Sequence, residues 1–393
     1  MMKPRTSLAF LFALLLAVGT SVQPATAQDG DDDFPTLDFS TNVMQGAQYL
    51  RTDDTGTAAD DAEFGFQRVR YNLGVSAQFH ERISATIDLG HEPNDFGTGG
   101  ASFSPAVDFV ALDLMLNDVL TLRLGTPVTS LFNFRGYSDG AAVQGNPLIG
   151  NSPIDFITAE TGIQLIGSSG NASFDLTATS PTFFETNTPG TGLTLVGKAS
   201  FQANEMLSFG AGIAQGTSRS GVTNLADREM NLIVGDGENY SLPGFGGQPN
   251  RYTHARIMPG LTATLLQADA RAMAGPLTLD LWGGYGFEGD TYFQGQVIPG
   301  EDASMWWGGA TAKLDATEQF FFATRASFAD NTSDWASDLD NTSIFRLQVG
   351  VGYSFWDRAM FKVEFVTQDE GVNSPGQVGD NWYGALTELS VGF

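Results

Sequence analysis

Apolar and polar residues alternate one for one along much of this chain. In "RVRYNLGVSAQFH" (68–80), Val69, Tyr71, Leu73, Val75, Ala77 and Phe79 are apolar, while Arg68, Arg70, Asn72, Gly74, Ser76, Gln78 and His80 are polar or small. A period of two puts these sets on opposite faces of a strand. The next stretch sets Ile83, Ala85, Ile87 and Leu89 against Ser84, Thr86, Asp88 and Gly90, and a later one aligns Phe345, Leu347, Val349, Val351, Tyr353 and Phe355. Around Trp306 and Trp307 the phase is ambiguous. The pattern predicts sixteen strands, near 36–51, 63–79, 83–92, 107–116, 119–126, 158–167, 172–180, 192–203, 206–216, 259–273, 277–288, 304–314, 319–329, 343–355, 359–368 and 382–393.

The connections alternate too. Short turns ("HER", "ND", "GSSGN", "ANE", "AGP", "DATEQ", "WDR") interleave with longer acidic, Gly- and Asn-rich loops near 52–62, 93–106, 127–157, 181–191, 217–258, 289–303, 330–342 and 369–381. An up-and-down sheet with one tight end and one elaborate end has the form of a transmembrane β-barrel, with short periplasmic turns and long extracellular loops. Inside lipid every backbone N–H and C=O must be paired internally, so such a sheet has to close. The fold class expected is therefore all-β: an antiparallel up-and-down transmembrane barrel over residues 28–393. A soluble sandwich would need neither alternating loop lengths nor an apolar outer face.

The first residues modify this picture. Lys3 and Arg5, an apolar run from Leu8 to Val18 and the terminal Ala25-Thr26-Ala27 have the order of a secretory signal peptide, residues 1–27. Without them the chain keeps 17 basic and 45 acidic groups, a net charge of −28. That excludes nucleic acid as a partner and suits a salty medium that screens self-repulsion. No cysteine is present, so disulfides and thiolate metal sites are excluded.

The last residues, "LTELSVGF", carry an apolar alternation onto the terminal Phe393 and are similar to the C-terminal assembly signal of bacterial outer-membrane proteins. The resemblance implies that Phe393 is recognised by the barrel-assembly machinery; strand phase expects it opposite the first strand near residue 39, facing lipid. "FQRVRYNLGVSAQFHERISATIDL" and "LDLMLNDVLTLRLGTPV" resemble the N-terminal third of sixteen-stranded porins of the phosphate-selective O and P type. That resemblance implies a homotrimer in the bacterial outer membrane and a third loop folded into the lumen. The departure is in lysine: only Lys198, Lys313 and Lys362 remain after processing, so a lysine-rich anion ladder is absent.

The function expected is that of a porin, a passive diffusion channel for small hydrophilic solutes or ions, with no cofactor and no enzyme activity. Loop 127–157 contains Phe132, Phe134 and Leu148, too apolar for a free loop in water, and is expected as the constriction, with Arg135 and Asp139 near its narrow point. Strand phase points Arg68, Arg70, Arg123, Lys198, Arg271, Arg325, Arg346 and Lys362 inward. Arg325, Arg346 and Lys362 fall on three consecutive strands and could form a basic stripe; equally, each cation could pair with a lumen acid such as Asp88, Asp113, Asp269 or Glu364. The acidic runs 53–63, 330–340 and 29–33 have oxygen ligands for calcium but lack the EF-hand spacing, and the triplets at Asn331 and Asn341 are chance glycosylation matches. Two other readings stay open: a plugged binding or structural barrel, and a barrel hydrolase, which would need a serine within reach of His91 or His254.

Overall fold

The computed structural model describes residues 34–53, 61–91, 106–126, 146–149, 161–180, 182–183, 188–189, 194–216, 263–293, 296–332, 343–356, 358–370 and 381–392. Its strands are β1 (Thr36–Asp53), β2 (Asp61–His80), β3 (Ile83–His91), β4 (Ala106–Met115), β5 (Leu120–Gly125), β6 (Thr161–Ser169), β7 (Ala172–Ser180), β8 (Thr182–Phe183), β9 (Thr188–Pro189), β10 (Thr194–Asn204), β11 (Leu207–Gly216), β12 (Ala263–Ala274), β13 (Leu277–Phe293), β14 (Gln296–Asp315), β15 (Phe320–Asn331), β16 (Ser343–Trp356), β17 (Ala359–Glu370) and β18 (Asn381–Gly392). Sixteen of them form one closed antiparallel barrel in chain order, while β8 and β9 pair only with each other.

Closure runs through β1 and β18, from Asn42 opposite Gly392 to Asp53 opposite Asn381. The last paired residue thus meets residue 42, slightly further along β1 than strand phase alone anticipates. Phe393 itself lies outside the described residues, as does the expected signal peptide, residues 1–27. Another expectation needs correcting: most of the predicted loop 289–303 is strand. β13 and β14 continue pairing out to Phe293–Gln296, with register shifts between Gly286 and Gly289 and between Asp290 and Thr291. Gly, Asp and Pro there mark bulges in a ladder that continues beyond the membrane, where backbone groups can also turn to water.

Small local devices set the tight turns. Asn117 Oδ1 accepts from the N–H groups of Val119 (2.9 Å) and Leu120 (3.0 Å). Thr317 Oγ1 does the same for Gln319 (3.2 Å) and Phe320 (2.9 Å), and Asn204 Oδ1 accepts from Met206 (2.9 Å). Gly170 and Gly275 turn with φ of 57° and 59°, a left-handed conformation that costs a side-chain-bearing residue free energy.

The barrel is inverted relative to a soluble protein. Along β16 the outward Phe345, Leu347, Val349 and Tyr353 are exposed, while Arg346 and Gln348 between them are buried. Trp306 and Trp307 resolve the same way: Trp306 lies outside, edge-on to Phe328 at 4.2 Å, and Trp307 lies inside. Phe345 and Tyr353 on one strand are separated by roughly 26 Å of chain at about 3.3 Å per residue. A tilt of about 40° reduces this to roughly 20 Å along the barrel axis, comparable to the apolar band of an outer-membrane barrel, about 25 Å tall. Tyr285, Trp306, Phe345 and Tyr383 mark the long-loop edge of the band, and Phe201, Phe209, Phe322, Tyr353 and Phe361 the tight-turn edge.

Candidate functional site

The inner wall carries the charged residues, and the ladder decides how they meet. Asp113 opposes Arg123, Asp175 opposes Lys198, Asp280 opposes Arg271 and Glu388 opposes Lys362, each as direct register partners on neighbouring strands. Directly opposed side chains on one face are close enough to pair. Arg123 grips Asp113 with two bonds of 2.7 and 2.8 Å, and Arg271 grips Asp280 with bonds of 2.6 and 2.8 Å. Lys362 Nζ lies 3.0 Å from Glu388 Oε1, and Lys198 Nζ 3.4 Å from Asp175 Oδ2.

Of the basic residues expected inside, Arg70, Arg123, Lys198, Arg271, Arg325, Arg346 and Lys362 occupy inner-face positions; the side chain of Arg68 lies outside the described residues. Arg325, Arg346 and Lys362 do fall on three adjacent strands, but staggered: Arg325 faces Gln348 rather than Arg346, Arg346 faces Ser327, and Lys362 faces Gly352. Asp113 was foreseen as a pairing acid. Asp175, Asp280 and Glu388 were not, although each is a lone acid in phase with the wet face, Asp175 and Asp280 between apolar neighbours and Glu388 between Thr387 and Leu389.

Inside the barrel lies a segment of the third long loop. Residues 146–149 (Asn-Pro-Leu-Ile) are buried. The Ile149 N–H donates to Glu364 Oε2 at 2.5 Å, while Gln348 Nε2 donates to Glu364 Oε1 at 2.9 Å. Arg325 Nη2 donates to Asn146 Oδ1 (3.3 Å) and Arg325 Nε to Thr311 Oγ1 (3.1 Å); the Leu148 N–H also reaches Asn146 Oδ1 (3.1 Å). Leu148 packs with Phe321, Ala323 and Met360. It sits over Gly350, where a Cβ would come within 2.8 Å of Leu148 Cδ2. β5, which precedes this loop, is fifth in the ring and β15 thirteenth, eight strands away in a ring of sixteen. The segment is therefore docked on the wall diametrically opposite its own strand. Phe132, Phe134, Arg135 and Asp139, expected at the narrow point, lie outside the described residues.

Two tryptophans complete the inner wall. Trp282 covers its cross-strand partner Gly309, and Trp307 covers its partner Gly284, so the two indoles and two glycines form a reciprocal pair on β13 and β14. Trp307 Nε1 donates to Gln267 Oε1 at 3.0 Å. His80 Nδ1 accepts the Arg82 N–H (3.2 Å) within a tight turn, and no cluster of three or more potential metal ligands occurs among the described residues. The side chain of His91, and all of His254, lie outside the description.

No protein-family model matches the sequence, and no curated protein matches it. Solved structures do match. The outer membrane channel DcaP of Acinetobacter baumannii aligns with a TM-score of 0.59 at 11% identity, over 93% of this chain and 100% of that one. The fold of this chain is porin-like. An anion-selective porin from Comamonas acidovorans gives 0.55 at 14% identity, over 91% and 100%. The trimer form of OmpT, an outer membrane protein of Vibrio cholerae, gives 0.55 at 9%, over 92% and 100%. At these identities what is shared is the fold: the porin-like barrel seen here, closed and antiparallel.

Proposed function

We propose that this protein is a porin of the bacterial outer membrane, a passive channel for small hydrophilic solutes or ions, inserted by the barrel-assembly machinery and working as a homotrimer. One observation carries the reading: the wall is inverted, with arginines, lysines, carboxylates and amides inside and bulky apolar side chains outside. A polar lumen wall is what a water-filled channel requires. The trimer form of the Vibrio cholerae relative supports the oligomeric state.

Loop 127–157 is the proposed constriction, with Phe132, Phe134, Arg135 and Asp139 near its narrow point; the docking of Asn146–Ile149 on the inner wall supports this. Deleting residues 132–150 raises single-channel conductance in this reading, and an unchanged conductance refutes it. We read the resemblance to phosphate-selective O and P porins as one of architecture and not of selectivity. Lys198, Lys313 and Lys362 all sit against carboxylates (Asp175, Asp315 and Glu388), leaving no lysine ladder for an oxyanion. The acidic balance of the chain favours cations near the mouth at low salt. Reversal potentials in a salt gradient check this, and anion preference overturns it.

A further inference from the structure

The inner wall is not covered evenly, and the unevenness selects which charges a solute can meet. In the tight-turn half of the lumen, clear of the rim, the side chains on β13–β18 are sealed: Lys362 and Glu388 are 2% and 3% exposed, and Arg325 and Glu364 0%. Across the ring the pairs are open. Arg123 and Asp113 are 16% and 26% exposed, Lys198 and Asp175 12% and 15%, and Arg271 35%. Leu148 and Ile149 account for part of the sealing, since they lie directly on Phe321, Ala323, Met360 and Glu364.

We infer that, in the channel proposed above, solutes crossing the tight-turn half of the lumen travel along the β3–β11 side of the barrel; nearer the long loops that side is covered too, with Gln164 and Thr177 1% and 2% exposed. In the tight-turn half the pairs Asp113–Arg123 and Asp175–Lys198 set ion preference, while Arg325 and Glu364 hold the docked loop segment and do not meet the solute. Water reaches only the first group, and a hydrated ion follows water. A charge exposed to the lumen acts on a passing ion through solvent, whereas one already neutralised and sealed behind packed chain contributes little. The basic stripe visible in the sequence is on this account a docking surface, and selectivity belongs to pairs spread over β4, β5, β7 and β10.

The absence of cysteine allows a direct test that does not depend on conduction. Ser200 and Ser208 occupy inner positions on the open side, partly exposed, and Ser327 and Ser390 inner positions on the sealed side, 1% and 0% exposed. Each is replaced singly by cysteine in the folded barrel, with heat-modifiable gel migration confirming folding, and labelled with a charged methanethiosulfonate. Fast reaction at positions 200 and 208 with slow reaction at 327 and 390 is expected; equal rates at all four overturn the inference. In bilayers, Lys198→Gln and Arg123→Gln are expected to shift the reversal potential towards cations more than Arg346→Gln does, and an equal or larger shift from Arg346→Gln also overturns it. The asymmetric labelling with silent bilayers would support the open side while refuting the channel reading on which the selectivity claim rests.

Discussion

Lys362 and Glu388 face each other across the β17–β18 ladder, Nζ 3.0 Å from Oε1, with both side chains almost wholly covered. Removing one partner of such a sealed pair leaves a charge without compensation, at a cost of about 3–5 kcal/mol. Lys362→Met is therefore expected to lower the free energy of unfolding in urea by that order, and Lys362→Glu by more. The exchanged pair Lys362→Glu with Glu388→Lys recovers much of the loss, because direct opposition is preserved. A double variant no better than Lys362→Glu would contradict the pairing.

The outer face makes the opposite demand. Val349 is exposed to the apolar band while its neighbour Gln348 is buried inside. Val349→Arg places a guanidinium in hydrocarbon and is expected to cost about 2–4 kcal/mol if it lies near the midplane. Equilibrium unfolding from phospholipid vesicles measures it; a cost near zero would place Val349 away from lipid.

Gly284 and Gly309 are each covered by an indole, with a Cβ at Gly309 falling 2.4 Å from Trp282 Cζ2 and one at Gly284 falling 2.3 Å from Trp307 Cζ2. Gly309→Ala and Gly284→Ala are expected to destabilise the barrel by about 1–3 kcal/mol through overpacking. Gly170→Ala meets no steric contact, so its penalty comes from the positive φ alone and is expected to be smaller, about 1 kcal/mol. Thermal unfolding of the three variants gives the ranking.

Glu364 spends one oxygen on the Ile149 N–H and the other on Gln348. Glu364→Ala leaves that buried N–H without its acceptor, a penalty of about 1–3 kcal/mol that falls on the docked segment. Altered conductance with added current noise is expected, with Glu364→Gln milder because its amide oxygen can still accept. Recordings identical to wild type would separate the latch from the constriction.

Much of the fold was legible because a membrane barrel writes its two environments on alternate residues. The phase of "RVRYNLGVSAQFH" or of Phe345–Phe355 needed no tertiary knowledge, and the tight turns announced themselves through Asn117, Thr317 and Gly275. Trp307 was illegible because the glycines at 308 and 309 carry no hydropathic sign to continue the alternation. The hairpin beyond Gly289 looked like a loop because outside lipid a ladder no longer needs apolar residues. Inward basic residues could be named, but their partners required register: Asp280 opposes Arg271 only once β12 and β13 are aligned. The contact of Ile149 with Glu364, 215 residues apart in sequence, depends on the closed ring and has no local signal.

The most direct test is the single-channel current of the purified, refolded protein in a planar lipid bilayer under salt. Discrete, ohmic conductance steps are predicted. A barrel that inserts, shown by heat-modifiable migration and protease protection, yet passes no current would contradict the account.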